Sequence, residues 1–199
     1  MPLTPTRTSS RSWKGCWVTD WSLPDRSRSR AVLVGSSHYT ELTPIPAAAN
    51  RLTRMQQLLT GPLCAWPAAQ VTVVDNGPAP GDLPDRLIDW YAQATDVALF
   101  YYVGHNQTDD EDQLCLGLTG SRLQAERRAT TSLTFHSVRR AVRTSPAAVK
   151  IVILDCCFAG QAVHGPHTLA GKDIDVTALT SATGACTLAA TGPYSTALV

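Results

Sequence analysis

No apolar run in this chain approaches the roughly 18 residues that a bilayer-spanning helix needs, and the N-terminus lacks the apolar segment of a secretory signal. No membrane partner is therefore expected. Neither sign of charge is in excess: 17 Lys and Arg stand against 16 Asp and Glu, a formal net charge of +1. That balance gives no argument for nucleic acid or an acidic membrane surface as a partner. Six cysteines, Cys16, Cys64, Cys115, Cys156, Cys157 and Cys186, are too few and too scattered for a disulfide framework in a chain of 199 residues. Adjacent Cys156 and Cys157 would pair only through a strained ring. Reduced thiols and a cytoplasmic location are expected instead. Also missing is the glycine fingerprint of a dinucleotide fold: Gly35-Ser36-Ser37-His38-Tyr39 stand where it should follow the first strand. No internal repeat is visible.

What the chain does have is organised around Lys150 to Gly160, KIVILDCCFAG. Ile151, Val152, Ile153 and Leu154 form the unbroken apolar run of a central strand buried on both faces of a parallel sheet. The run stops at Asp155, Cys156 and Cys157, and open α/β sheets place their ligands at such strand ends. Because side chains alternate along a strand, Asp155 and Cys157 should share a face while Cys156 turns into packing. Cys157 is the nucleophile candidate, and Asp155 is a charge near whatever it attacks.

Residues 1–30 are rich in Ser, Thr, Arg and Pro and read as a flexible extension, although Trp13, Trp17 and Trp21 recur at helical spacing. Residues 31–199 read as one domain of usual size. Ala31 to Gly35 is the first strand, and Ala48, Leu52, Met55 and Leu59 give a helix opened by Pro46 and stopped at Gly61-Pro62. Val71 to Val74 is a second strand. Asp82 should cap a helix whose inner face is Leu83, Leu87, Trp90 and Ala94. Val97 to Val103 is a third strand ending in Gly104-His105-Asn106. Leu114, Leu116 and Leu118 alternate as in an edge strand or hairpin after the acidic run Asp109 to Asp112. Phe135, Val138 and Val142 stripe a further helix, with His136, Arg139, Arg140 and Arg143 outside. A last strand is expected over Ile174 to Ser181. Strand, helix, strand, helix, strand predicts a mostly parallel central sheet with helices on both faces.

Two strands of that sheet now end in reactive groups, His105 and Cys157, about 50 residues apart. Neighbouring strand ends lie on the order of 5 Å apart, so imidazole and thiol can meet over the sheet edge. A thiolate attacks a carbonyl, and an imidazole moves the proton. At these residues the chain resembles the caspase-like cysteine peptidases, in particular their bacterial members and the metacaspases. Tyr101-Tyr102-Val103-Gly104-His105 and Leu154-Asp155-Cys156-Cys157-Phe158-Ala159-Gly160 carry the resemblance. Ala31 to Gly35, Pro46 to Asn50 and Leu179-Thr180-Ser181-Ala182 extend it over residues 31–199.

The resemblance implies an α/β, caspase-like three-layer sandwich and a cysteine endopeptidase acting on a protein or peptide substrate. By position, Cys157 is the nucleophile and His105 the acid/base. Backbone N–H groups of Cys157 and Asn106 form the oxyanion hole. Asp155, as in metacaspases, lines a primary pocket selecting Arg or Lys, with Glu41 a second acid there and Ser181 on the last strand. Lys172 becomes a self-processing site. Three features depart from the family pattern. Asn106 replaces a usual Gly; if that position needs φ > 0, Asn is among the few substitutes that tolerate it, but its side chain would crowd the pocket. Phe158-Ala159 stand where metacaspases carry His-Ser. The chain also stops where the family continues with another helix and strand, which leaves a sheet edge for a partner chain to complete.

Other readings weigh against this one. Asn106 and the short C-terminal part suit a caspase-like scaffold that binds without cutting, whereas the retained His105 and Cys157 suit a peptidase. Cys156, Cys157, His164 and His167 are zinc-type ligands, but adjacent cysteines on a strand point apart. No cofactor is expected. Calcium at Asp109 to Asp112 is the one candidate, because some metacaspases require it; a solvated loop fits that position better.

Overall fold

Period-two alternation along four strands sorts the side chains into two cores, one on each face of a single sheet. The computed structural model describes residues 23–156 and 185–189. Strands β1 (Arg30–Gly35), β2 (Val71–Asp75), β3 (Val97–Val103), β7 (Val149–Asp155) and β8 (Cys186–Ala189) run parallel in the order β2-β1-β3-β7-β8. Helix α1 (Pro46–Thr60) covers one face, and α2 (Leu83–Ala92) and α4 (Phe135–Thr144) cover the other. Between β3 and β7 a small antiparallel sheet is inserted, built from β4 (Asn106–Thr108), β5 (Leu114–Leu116) and β6 (Leu133–Thr134), with α3 (Ala125–Thr131) beside it. The result is the three-layer α/β arrangement expected from the strand–helix rhythm.

Val32, Val34, Ala98, Phe100, Tyr102, Val152 and Leu154 form one core with the inner faces of α2 and α4. Ala31, Leu33, Leu99, Tyr101 and Val103 alternate with them and pack against Ala48, Leu52 and Leu59 of α1. β3 is buried along its whole length, as its seven apolar residues require. β7 is not: Val152 and Leu154 are fully covered, but Ile151 and Ile153 on the α1 face are only partly buried. The expectation of burial on both faces holds for one face of this strand. No helix among the described residues is long and apolar enough to cross a membrane.

Local chemistry corrects several expected details. Asp82 precedes α2, but its backbone (φ −85°, ψ 0°) is outside the extended region that aims a capping side chain, and it makes no capping hydrogen bond. Thr134 does cap α4, accepting from Ser137 N–H. The inner face of α2 is Leu83, Leu87 and Tyr91, with Trp90 at its margin under Arg86. Leu114, Leu116 and Leu118 share the α2–α4 core, as their alternation predicts, and β5 forms a hairpin with β4; Cys115 between them is buried too, and β5 is the middle strand of the small sheet rather than an edge. The fold is already fixed ahead of Ala31, since Arg28 C=O accepts from Thr95 and Asp96 N–H, and Ser29 is buried. The predicted strand at Ile174 to Ser181 and the tryptophans of the N-terminal segment lie outside the described residues. The edge strand that is described is β8, further along the chain, paired with β7 from Ile151↔Cys186 to Leu154↔Ala189.

Tyr91 and Tyr102 are the largest fully buried side chains among the described residues, and the Tyr91 hydroxyl donates to Leu99 C=O at 2.8 Å. This bond joins α2 to the middle of β3. Tyr91→Phe should lower stability by about 0.5–1.5 kcal/mol, and Leu87→Ala by about 2–5 kcal/mol. Urea midpoints at unchanged slope would check both.

Candidate active site

The strands of the main sheet end in step. Gly35 pairs with Val103, and Val103 pairs with Asp155. Whatever follows β1, β3 and β7 therefore emerges at one sheet edge, where parallel α/β folds bind ligands. Alternation then decides the faces. Asp155 continues the row of Ile151 and Ile153 and faces α1. Cys156 continues the row of Val152 and Leu154, is 5% exposed, and joins the core on the opposite face. The expected split between these two residues is seen. Cys157, the nucleophile candidate, lies outside the described residues, as do Ser181, Lys172, His164 and His167.

His105 is held through its backbone on both sides. Its N–H donates to the Tyr39 hydroxyl at 2.9 Å, and that hydroxyl donates onward to Ser36 C=O at 2.8 Å. The His105 carbonyl accepts from Gly117 N–H at 2.7 Å and lies against the Tyr102 hydroxyl, which also contacts Gly117 C=O at 2.8 Å. Burial pushes the Tyr39 hydroxyl up to about 12 and Tyr102 well above its ordinary value, so both remain protonated donors at neutral pH. The Tyr39 ring also sits against the imidazole, with centroids 4.9 Å apart and planes tilted by 53°.

The imidazole itself is oriented by a main-chain group. His105 Nε2 lies 2.8 Å from Thr43 C=O. A carbonyl only accepts, so Nε2 carries the proton, and in the neutral ring Nδ1 keeps the lone pair. Thr43 belongs to the loop 36–45, which is fastened at several points. Asn76 Oδ1 accepts from Ser37 and His38 N–H, Thr40 N–H donates to Thr119 C=O, and Ile45 N–H donates to Ser37 C=O. Glu41 adds the last fastening: its carboxylate pairs with Arg122 and accepts from Leu123 N–H, which hold its pKa below the usual value. Glu41 thereby ties the loop to the segment just before α3.

Asp155 is engaged from two sides. Oδ1 accepts from Arg51 Nη1 of α1 at 2.9 Å, and Oδ2 accepts from the Tyr101 hydroxyl at 2.9 Å. Burial and then the Asp155 charge raise the Tyr101 pKa, which keeps the phenol a donor. The two ion-pair side chains are 38% and 23% exposed, so the pair remains open to solvent.

Asn106 differs from its expected geometry. The left-handed backbone lies one position before the histidine, at Gly104 (φ +155°), and not at Asn106, which opens β4. The Asn106 side chain is 2% exposed, with neither amide atom hydrogen-bonded. Because His105 and Gly117 form a bonded pair, Asn106 and Leu116 are the adjacent non-bonded pair. The Asn106 N–H thus points away from β5, toward the open edge of β4.

Among the other described thiols, Cys115 is buried. Burial, helped by the Asp109 charge, pushes Cys115 up to about 12, and thiolate chemistry is suppressed there. Cys64 packs beside the α1 core, and Cys186 is exposed on the edge strand. Asp109 Oδ1 accepts from Glu111 and Gln113 N–H, closing the acidic turn on itself. No group of three or more His, Cys, Asp or Glu among the described residues is arranged to hold a metal ion.

A Cβ on Gly104 would stand 2.6 Å from both the Tyr39 and Tyr102 hydroxyls, in a backbone region that side chains rarely adopt. Gly104→Ala should therefore cost about 1–3 kcal/mol in urea denaturation. It should also displace the imidazole, read as a changed ring nitrogen shift for His105. Against known proteins, the family model described as the caspase domain matches residues 28–196, and no curated protein matches the chain.

Proposed function

We propose, from the premise that the chain belongs to the caspase-domain family of cysteine peptidases, that it is an endopeptidase using a Cys157–His105 dyad and cleaving after Arg or Lys. The observation that carries this reading is the hydrogen bond from His105 Nε2 to Thr43 C=O. It commits one ring nitrogen to donation and leaves Nδ1 as the proton acceptor at the sheet edge where β7 ends at Asp155.

In the reaction, Nδ1 takes the Cys157 thiol proton. The thiolate attacks the scissile carbonyl, the C–N bond breaks, and the imidazolium returns that proton to the leaving amine. Water, deprotonated by the same nitrogen, then hydrolyses the thioester. Once protonated, the imidazolium is still held by Thr43 C=O, so the ring need not reorient between the two halves. The outward N–H of Asn106 supports its assignment as an oxyanion donor beside the Cys157 N–H, since it is not spent on β5. A backbone donor of this kind is worth about 10²–10³ in rate. Asp155, partly exposed on the α1 face, supports a preference for a cationic side chain at the cleaved residue.

A panel of short fluorogenic peptides tests the reading. Cys157→Ala and His105→Ala should each lower cleavage by about 10³-fold or more, while Cys156→Ala retains most of it. Full activity in Cys157→Ala would overturn the dyad. Failure of a thiol-directed peptide probe to label Cys157 would leave a binding scaffold instead.

Peptides ending in Arg or Lys should be cut and Asp equivalents ignored, with Asp155→Asn losing the preference. Faster cleavage of the Asp peptides would show that the pocket reading is wrong.

A further inference from the structure

Asp155 does not wait empty for a substrate. Arg51, one and a half turns into α1, already holds its Oδ1, and Tyr101 holds Oδ2. Arg51 is the chain's own copy of the cation that the carboxylate is read as recognising. Its contact is one-pronged: Nη1 alone reaches the carboxylate, and the other donors of the guanidinium are not used on it. Arginine and carboxylate bind most strongly through two parallel N–H···O bonds, so this pair falls short of the best geometry available to it. Both partners are also partly exposed, at 38% and 23%, and exposed ion pairs of this kind are weak and readily exchanged.

We propose that Arg51 is a built-in competitor for Asp155, which an incoming cationic side chain, arginine or lysine, must displace. The inference rests on the reading of Asp155 as a substrate-binding carboxylate. Each carboxylate oxygen has two lone pairs, so Tyr101 can keep its bond while a substrate guanidinium approaches as a two-pronged fork. An arriving arginine therefore replaces a one-pronged contact with a two-pronged one. A lysine ammonium is a point charge without that fork, and exchanges one single contact for another. Arg51 thus subtracts similarly from both ligands, and the fork geometry favours arginine over lysine whether or not Arg51 is present. The Tyr101 hydroxyl assists by holding the carboxylate plane fixed against rotation when Arg51 leaves.

The test measures affinity without cleavage, in the Cys157→Ala protein, by fluorescence anisotropy of dye-labelled peptides ending in Arg, Lys or Asp. Arg51→Met keeps the length and removes the charge; Arg51→Gln is the second variant, and thermal midpoints verify that each is folded. Losing an exposed competitor should tighten the Lys and Arg peptides alike, by about two- to five-fold, leaving the Arg/Lys ratio unchanged. Arg51→Lys should restore competition. In an Asp155→Asn background both peptides should weaken, and Arg51→Met should then have no effect.

Unchanged or weaker binding of the Lys peptide in both folded Arg51 variants would overturn the proposal. So would basic peptides that bind no form of the protein. Tight binding of the Asp peptide that is lost in Arg51→Met would also overturn it, in favour of an anion site built on Arg51. The peptidase reading fails separately, on absence of cleavage by the protein with Cys157 intact, so the two failures are distinguishable.

Discussion

The in-step ending of β1, β3 and β7 is the constraint on which the rest depends. β3 is buried throughout and hydrogen-bonded on both sides, so its register fixes both neighbours at once: Gly35 and Asp155 are each set opposite Val103. A slip of one residue would turn every side chain on a strand to the other face. It would carry Asp155 into the core that now receives Cys156, and Cys156 out toward α1. The apolar residues of both cores forbid that slip, because Tyr101 and Tyr102 occupy opposite faces and differ in what their hydroxyls must reach. Packing far from the sheet edge thereby decides which groups are presented at it.

A second layer of order concerns His105, and it is almost entirely main chain. Gly104 lets the backbone turn between two tyrosine hydroxyls, and those hydroxyls then take the N–H and C=O of the next residue. The small inserted sheet contributes Gly117 to the same clamp. Its buried leucines tie it into the α2–α4 core, so the insertion is a support for the histidine as well as a covering of the sheet end. With the backbone fixed, a single bond to Thr43 C=O is enough to select one orientation of the ring.

These relations explain what could be read from the amino-acid sequence. Strands β1, β2, β3 and β7 and helices α1 and α4 follow from apolar spacing, because their periodicity is imposed by steric alternation that survives any tertiary context. The opposite facing of Asp155 and Cys156 was legible for the same reason. The grouping of the strand ends at one edge followed from parallel topology alone. Thr43 was not legible: its contribution is a carbonyl, and every residue has one. Tyr39 was hidden in a loop without periodicity. Arg51 stands in a helix where arginine ordinarily means exposure, and its contact with Asp155 depends on how α1 crosses the sheet. α3 and the two-residue β6 are too short and too polar to carry a pattern.

Glu41 and Asp155 show why an acid cannot be assigned from its place near a site. Both lie in segments that meet the sheet edge, and both were candidates for one pocket. Glu41 has Arg122 and the Leu123 N–H within reach, and those three groups close a link between the loop 36–45 and the segment between β5 and α3. Its charge is spent on holding Thr43 where His105 needs it. Asp155 meets Arg51 through one nitrogen and a phenol that stays protonated, which leaves lone pairs unfilled. Each carboxylate accepts from two donors, one of them a single guanidinium nitrogen. They differ in the second donor: a backbone N–H fastens Glu41 to the main chain of the inserted segment, whereas a strand side chain, the Tyr101 hydroxyl, holds Asp155 at the sheet edge.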